Sequence, residues 1–416
     1  MKYLYNKIYE AINTGIQRAL ALDDEDDISM NYQHKKISND ANYFDYLYVY
    51  DQYQERYKEL INKNNFRKCL SLYNSRYLDQ EPGTIKYKVK SKEELQKIVK
   101  KFNYKRCDGF NLNWLDVSEI TDMSELFYGM TRFNCNISEW DVSNVTNMKD
   151  MFHNCEQFNS DLSQWNVSKV TNMYNMFGSC ENFNSDLSQW NVSKIKNMAC
   201  MFRCCKKINS DLSKWNVSNV ENMGWMFYKC ENFNSDLSKW NVSKVENMCS
   251  MFFSCEKFNS DLSHWNVSKV TNMYNMFGNC ENFNSDLSHW NVSKVINMNH
   301  MFYNCIHNSD LSKWNVSNVE NMGWMFYECN NFNQDLSHWN VSKVENMCSM
   351  FFSCEKFNSD LSKWNVSKVE NMDYMFYKCE KFNSDLSKWN VSKVEYHNDI
   401  FNECPIKEEY KPKFKK

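Results

Sequence analysis

Three ladders of side chains in this 416-residue sequence carry groups able to do chemistry. Cysteines stand at 155, 180, 205, 230, 255, 280, 305, 329, 354, 379 and 404. Regular thiols raise disulfides or zinc. A disulfide needs Cα atoms within about 7 Å, and zinc needs paired C-x-x-C knuckles, which the ladder lacks. Cys200, Cys204 and Cys205 form the one dense cluster, and Cys200 and Cys204 would share a helical face. A second ladder, Asp161, Asp186, Asp211 and onward to Asp385, raises calcium. Stacked calcium sites need Gly-rich turns, and the sequence has 8 Gly in all. Asx-type capping of the loop backbone is the simpler role. The third is N-V-S, ten times from Asn166 to Asn390. In a secreted chain it would be a glycan acceptor. No Ser-His-Asp order, carboxylate pair or phosphate-binding loop stands out from these ladders. The expectation is no enzyme, no cofactor and no metal.

The elements that position these groups follow from one period. Tryptophans at 140, 165, 190, 215, 240, 265, 290, 314, 339, 364 and 389 are 25 residues apart, with one step of 24 near Ile306-His307-Asn308. Such a period marks a solenoid or array. In the unit from Trp165 to Gln189, Val170, Met173, Met176, Phe177 and Cys180 fall within about 120° on a helical wheel. Ser168 is placed to cap that helix, and Ser243 with Glu246 reads as a capping box. Leu187, Trp190 and Val192 form an L-x-x-W-x-V strand. The predicted class is α/β: a leucine-rich-repeat-like curved solenoid of about twelve 25-residue strand-helix units. Helices need roughly 8–10 Å of spacing and strands about 4.8 Å, so the stack should bend with its strands on the concave side. That spacing would also hold successive ladder thiols too far apart to pair. Residues 165–264 and 265–363 align as two four-unit blocks, with TNMYNMFG at 171 and 271 and NMGWMFY at 222 and 321.

On a concave strand face, the residue before each Trp is exposed and changes along the chain. It runs from Glu139, Gln164 and Gln189 to Lys214, Lys239, His264, His289, Lys313, His338, Lys363 and Lys388. This rail becomes basic and is the candidate partner surface, suited to an acidic protein segment or a polyanion. Trp225 and Trp324 are extra aromatics on the outer face of the expected helix. With a net charge of −3 and no aromatics interleaved in the rail, nucleic acid is not the expected partner.

The flanks divide the chain into 1–83, a mainly helical region; 84–111, a cap with a strand near Thr84–Val89 and a helix opened by Ser91 and Glu94; 112–404, the repeats; and 405–416, a basic tail expected to fray. No run approaches 18 apolar residues, and the first residues lack a secretory pattern. No membrane contact and an intracellular location are the expectations.

The unit W-[ND]-V-S-x-V-x-N-M-x-x-M-F-x-x-C-x-x-F-N-x-D-L-S-x resembles the BspA-like repeat family, described as a domain of unknown function (285) in mycoplasma surface proteins and present in giant DNA viruses. The resemblance covers about 290 residues and implies no catalytic residues. The expected function is a non-enzymatic scaffold that binds a protein partner through the concave face. A surface or virion structural protein, adhesin-like, is the second reading.

Overall fold

The computed structural model describes residues 87–100, 102, 112–113 and 115–414. The expected helical region 1–83 lies outside them. At the N-terminal end, β1 (Tyr87–Lys88) pairs in parallel with β2 (Leu115–Asp116), and α1 (Lys92–Lys100) follows β1. Ser91 Oγ accepts the Glu94 N–H at 3.2 Å, while the Glu94 carboxylate reaches back to the Lys90 N–H at 2.7 Å. This fixes the start of α1. Leu95, Ile98 and Val99 bury its inner face.

The repeats are not strand-helix units. Among the described residues, α1 is the one α-helix and β1 and β2 are the only strands. From Ile120 to Cys404 the chain runs as successive tight turns, and each unit is hydrogen-bonded to the next. In Met173–Cys180, Met176 N donates to Met173 O at 3.2 Å and Cys180 N to Phe177 O at 2.9 Å. Asn175 and Ser179, the third residues of these two turns, have φ of 52° and 61°. A positive φ there is the mark of a type II turn. Between the turns the backbone turns outward along the stack. Asn175 N, Phe177 N and Ser179 N donate to Ala199 O, Met201 O and Arg203 O of the following unit at 2.9, 2.9 and 2.6 Å. Parallel bridges link Asp122, Asn147, Asn172 and so on to Tyr396, one per unit.

Turns replace the expected helix for a physical reason. Val167, Val170, Met173 and Met176, then Phe177, Cys180 and Phe183, are spaced by threes. A helix stripe alternates steps of three and four. A run of pure threes drifts by about 60° a step on a helix of 3.6 residues per turn, but it suits turns closed by bonds from residue i to i−3. All these residues point into a core that is continuous from unit to unit. Ser168 and Ser243 cap no helix; their N–H groups donate to Asn166 and Asn241 Oδ1.

Equivalent rings measure the stacking. Phe177 and Phe202 lie 5.7 Å apart, and Trp240 and Trp265 6.4 Å. There is no helical layer to hold units 8–10 Å apart, so the expected cause of curvature is absent. Spacing is in fact widest at the tryptophan edge. For the same reason no helix spacing keeps successive ladder thiols apart, contrary to the expectation from the sequence.

The tail is not frayed over its described part. Tyr410 O accepts the Leu386 N–H at 2.8 Å, Ile406 is buried, and Phe414 stacks on His397 at 4.5 Å. It folds over the last unit as a lid on the core.

Candidate interaction surface

Most residues that could do chemistry are occupied in joining units. Cys180 Sγ donates to Phe152 O at 2.9 Å, Cys205 to Phe177 O at 2.9 Å, and most of the ladder repeats this. Burial pushes these thiols well above their ordinary pKa. The sixteen described cysteines are all free thiols. Cys200 and Cys204 are half-buried, and burial raises both. Each ladder tryptophan donates its indole N–H to a carbonyl of the preceding unit, as Trp240 does to Leu212 O at 2.9 Å. Ser210 Oγ accepts the Leu187 N–H at 2.8 Å, and Asn184 Oδ1 accepts the Asn209 N–H at 2.8 Å.

The aspartate ladder is spent locally. Asp211 Oδ1 accepts the Ser213 N–H at 2.9 Å, and the same bond recurs at Asp236 and Asp261. Hydrogen bonds from those serines, helped by the rail residues Lys214 and Lys239, hold Asp211 and Asp236 below the usual carboxylate range. The sequon asparagines make the same two-residue turn, as in Ser218 N to Asn216 Oδ1 at 3.1 Å.

The predicted rail is present as a column. Lys214, Lys239, His264, His289, Lys313, His338, Lys363 and Lys388 are all exposed at the tryptophan edge. The exposed aspartates run beside it, three residues before each rail position. The rail is therefore a mixed-charge edge, its cations faced by carboxylates.

A different face carries the differences between units. In N-M-x-x-M-F-x-x-C the four x positions lie on the ladder wall rather than in the apolar core, and range from buried, as Asn175 and Ser250 are, to exposed, as Trp225 and Lys229 are. The column after M-F reads His153, Gly178, Arg203, Tyr228, Phe253, Gly278, Tyr303, Tyr327, Phe352 and Tyr377. Its rings stack: Tyr303 on Tyr327 at 5.0 Å, Tyr327 on Phe352 at 4.5 Å and Phe352 on Tyr377 at 4.7 Å. Beside it, His300 stacks on Trp324 at 5.3 Å, and Trp324 packs on Tyr327 at 4.9 Å. Trp225 and Tyr374 are each 38% exposed although their partners in the core are sealed. Trp225 and Trp324 stand out in the sequence; the wall they belong to does not. The available signal was the range of residue types at the four x positions, wider than at any other column of the unit.

Gly178 shows how tightly the wall is built. A Cβ there would run into Asn175 Oδ1 and meet His153 Nδ1 at 2.7 Å. Asn175 lies across the glycine, its Nδ2 donating to Asp150 Oδ1 at 2.6 Å. Gly278 and Asn275 repeat the arrangement.

Turn-built units joined by ladders, with fixed side chains inside and varied ones on one wall, define a stacked-repeat protein. Its sequence matches the family described as mycoplasma protein of unknown function, DUF285, over residues 93–215, 196–310 and 306–411, and the chain belongs to that family. No curated protein matches it. No described helix is long and apolar enough to cross a membrane.

Proposed function

We propose that this chain is a non-enzymatic interaction scaffold whose ladder wall is the binding surface. One observation carries the reading: units nearly identical in their core differ chiefly at the outward positions of that wall. Large aromatic side chains placed at strained or exposed positions weaken a fold unless they serve something else. Trp225, Trp324 and Tyr374 have φ of 55°, 59° and 56°, where asparagine or glycine would sit more easily. Partner recognition accounts for their presence there.

The test compares proteins captured from the native source by the wild-type chain, by a wall variant and by a rail variant. The wall variant is Tyr327→Ser with Phe352→Ser; the rail variant changes Lys214, Lys239, Lys313, Lys363 and Lys388 to Glu. The wall reading expects the first to lose captured partners and the second to keep them. Loss confined to the rail variant would return the function to the tryptophan edge.

A further inference from the structure

The wall changes character along the stack. At its outward positions from 149 to 254 stand Lys149, Arg203 and Lys229 against one carboxylate, Asp150. From 299 to 403 stand Glu328, Asp373, Asp399 and Glu403 against one ammonium, Lys378. In the first half the rings already have cations of the chain itself. Arg203 lies 5.6 Å and Lys229 5.5 Å from the Tyr228 ring centre, and Lys149 lies 5.8 Å from that of Tyr174. Lys378 does the same at Tyr377, 5.4 Å away. Among the described residues, no cation lies over Tyr303, Trp324, Tyr327 or Phe352. Glu328 is exposed beside Tyr303 and Tyr327, and no described cation pairs with it.

We propose that the second half of the wall, centred on Tyr303, Trp324, Tyr327, Glu328 and Phe352, binds an arginine- or lysine-bearing segment of a protein partner. Tyr327 and Phe352 are covered on both faces by their neighbours in the column, so a guanidinium takes the face of Tyr303 turned away from Tyr327, on the side of the ringless Gly278, and the carboxylates at the rim match its charge. The first half displays the same contact made within the chain, with Arg203 and Lys229 on Tyr228. A second copy of this chain is the competing occupant. Its cations at 149, 203 and 229 are already engaged with Asp150 or with rings of their own wall, which leaves a foreign basic segment as the better match. The inference rests on the wall reading above.

The experiment uses the full chain and two fluorescein-labelled eight-residue peptides, one alternating glycine and arginine, the other glycine and glutamate. Binding is followed by anisotropy. The arginine peptide should bind the wild-type chain and the glutamate peptide should not. Tyr303→Ser with Tyr327→Ser leaves every charge in place, removes the ring under the cation and the ring that backs it, and should weaken arginine-peptide binding severalfold. Trp324→Leu, which keeps apolar bulk without the indole, should weaken it too and guards against serine-induced unfolding. Glu328→Gln should lower affinity severalfold. Equal binding by wild type and the ring variants would overturn the proposal, because attraction to general negative charge would then suffice. So would a wild-type dimer in sedimentation that the ring variants abolish. If wall variants lose partners in the capture experiment and those partners carry no basic segment that binds here, the wall reading stands and this inference falls.

Discussion

At the scale of single residues, the repeated identities are explained by bonds that reach the neighbouring unit. Tryptophan is present because a large apolar ring must also donate to the preceding unit. Trp240→Phe would leave Leu212 O without that donor and interrupt the stack with Trp215 and Trp265. A loss of about 1–3 kcal/mol is expected in urea denaturation. The one short unit puts His307 where its neighbours have phenylalanine. His307 lies between Phe302 and Phe283 at 4.5 and 5.7 Å, its Nε2 next to Ser309 Oγ and its Nδ1 buried with no partner. Burial drives its pKa down from 6.5 to about 3. A depressed folded value means the unfolded chain takes up the proton first. Its stability contribution is therefore complete above pH 6.5 and is lost as pH falls from there toward 3, by about 1.4 kcal/mol per pH unit at most. Denaturation midpoints at pH 7 and pH 4.5 should differ less in His307→Phe than in wild type; an equal difference would place the acid-sensitive group elsewhere.

At the scale of the element, the sequence revealed the period, the unit boundaries and every core position, but not the local conformation. Periodicity reports which residues face inward. It does not say which backbone turns them there, and five apolar residues at offsets 0, 3, 6, 7 and 10 fit a helix. Adding Val167 and Phe183 widens the stripe beyond one helical face, which was the available warning. The second warning was chemical: Asp150, Asn154, Asn175, Ser179 and Asn275 hold left-handed positions that asparagine and aspartate tolerate best. For the candidate surface, the rail was legible because it is exposed and changes in charge. The wall was not, because a helix would have put the same four positions on its solvent-facing side, where variety of residue type is ordinary. The turn geometry makes a direct prediction at Gly178. Gly178→Ala brings a methyl against Asn175 and His153, and a loss of about 1–3 kcal/mol is expected in thermal or urea unfolding. Alanine tolerated there without loss would show that Asn175 does not lie across the turn.

At the scale of the whole molecule, stability depends on continuity, because each unit completes the bonds of its neighbour. The ends are where this fails. In the last unit the N–H groups of His397, Asp399, Phe401 and Glu403 have no acceptor among the described residues, and the tail covers only the core beside them. Deleting 405–416 removes the Tyr410 bond to Leu386 and uncovers the buried Ile400 and Trp389. The shortened chain should unfold at a lower temperature and self-associate in sedimentation, as an exposed apolar patch does. Left-handed turn residues recur in every unit, so their effects should sum along the stack. Lys229, Ser353 and Lys378 sit at such positions, with φ of 56°, 54° and 56°. Replacing all three with glycine, then measuring urea denaturation, tests the turn-built stack most directly. In turns of this kind the triple variant should be as stable as wild type or more so, by up to about 1 kcal/mol per site. In the helix of a strand-helix unit each change would instead destabilise by about 1 kcal/mol, and a loss of that size at all three sites would contradict the account.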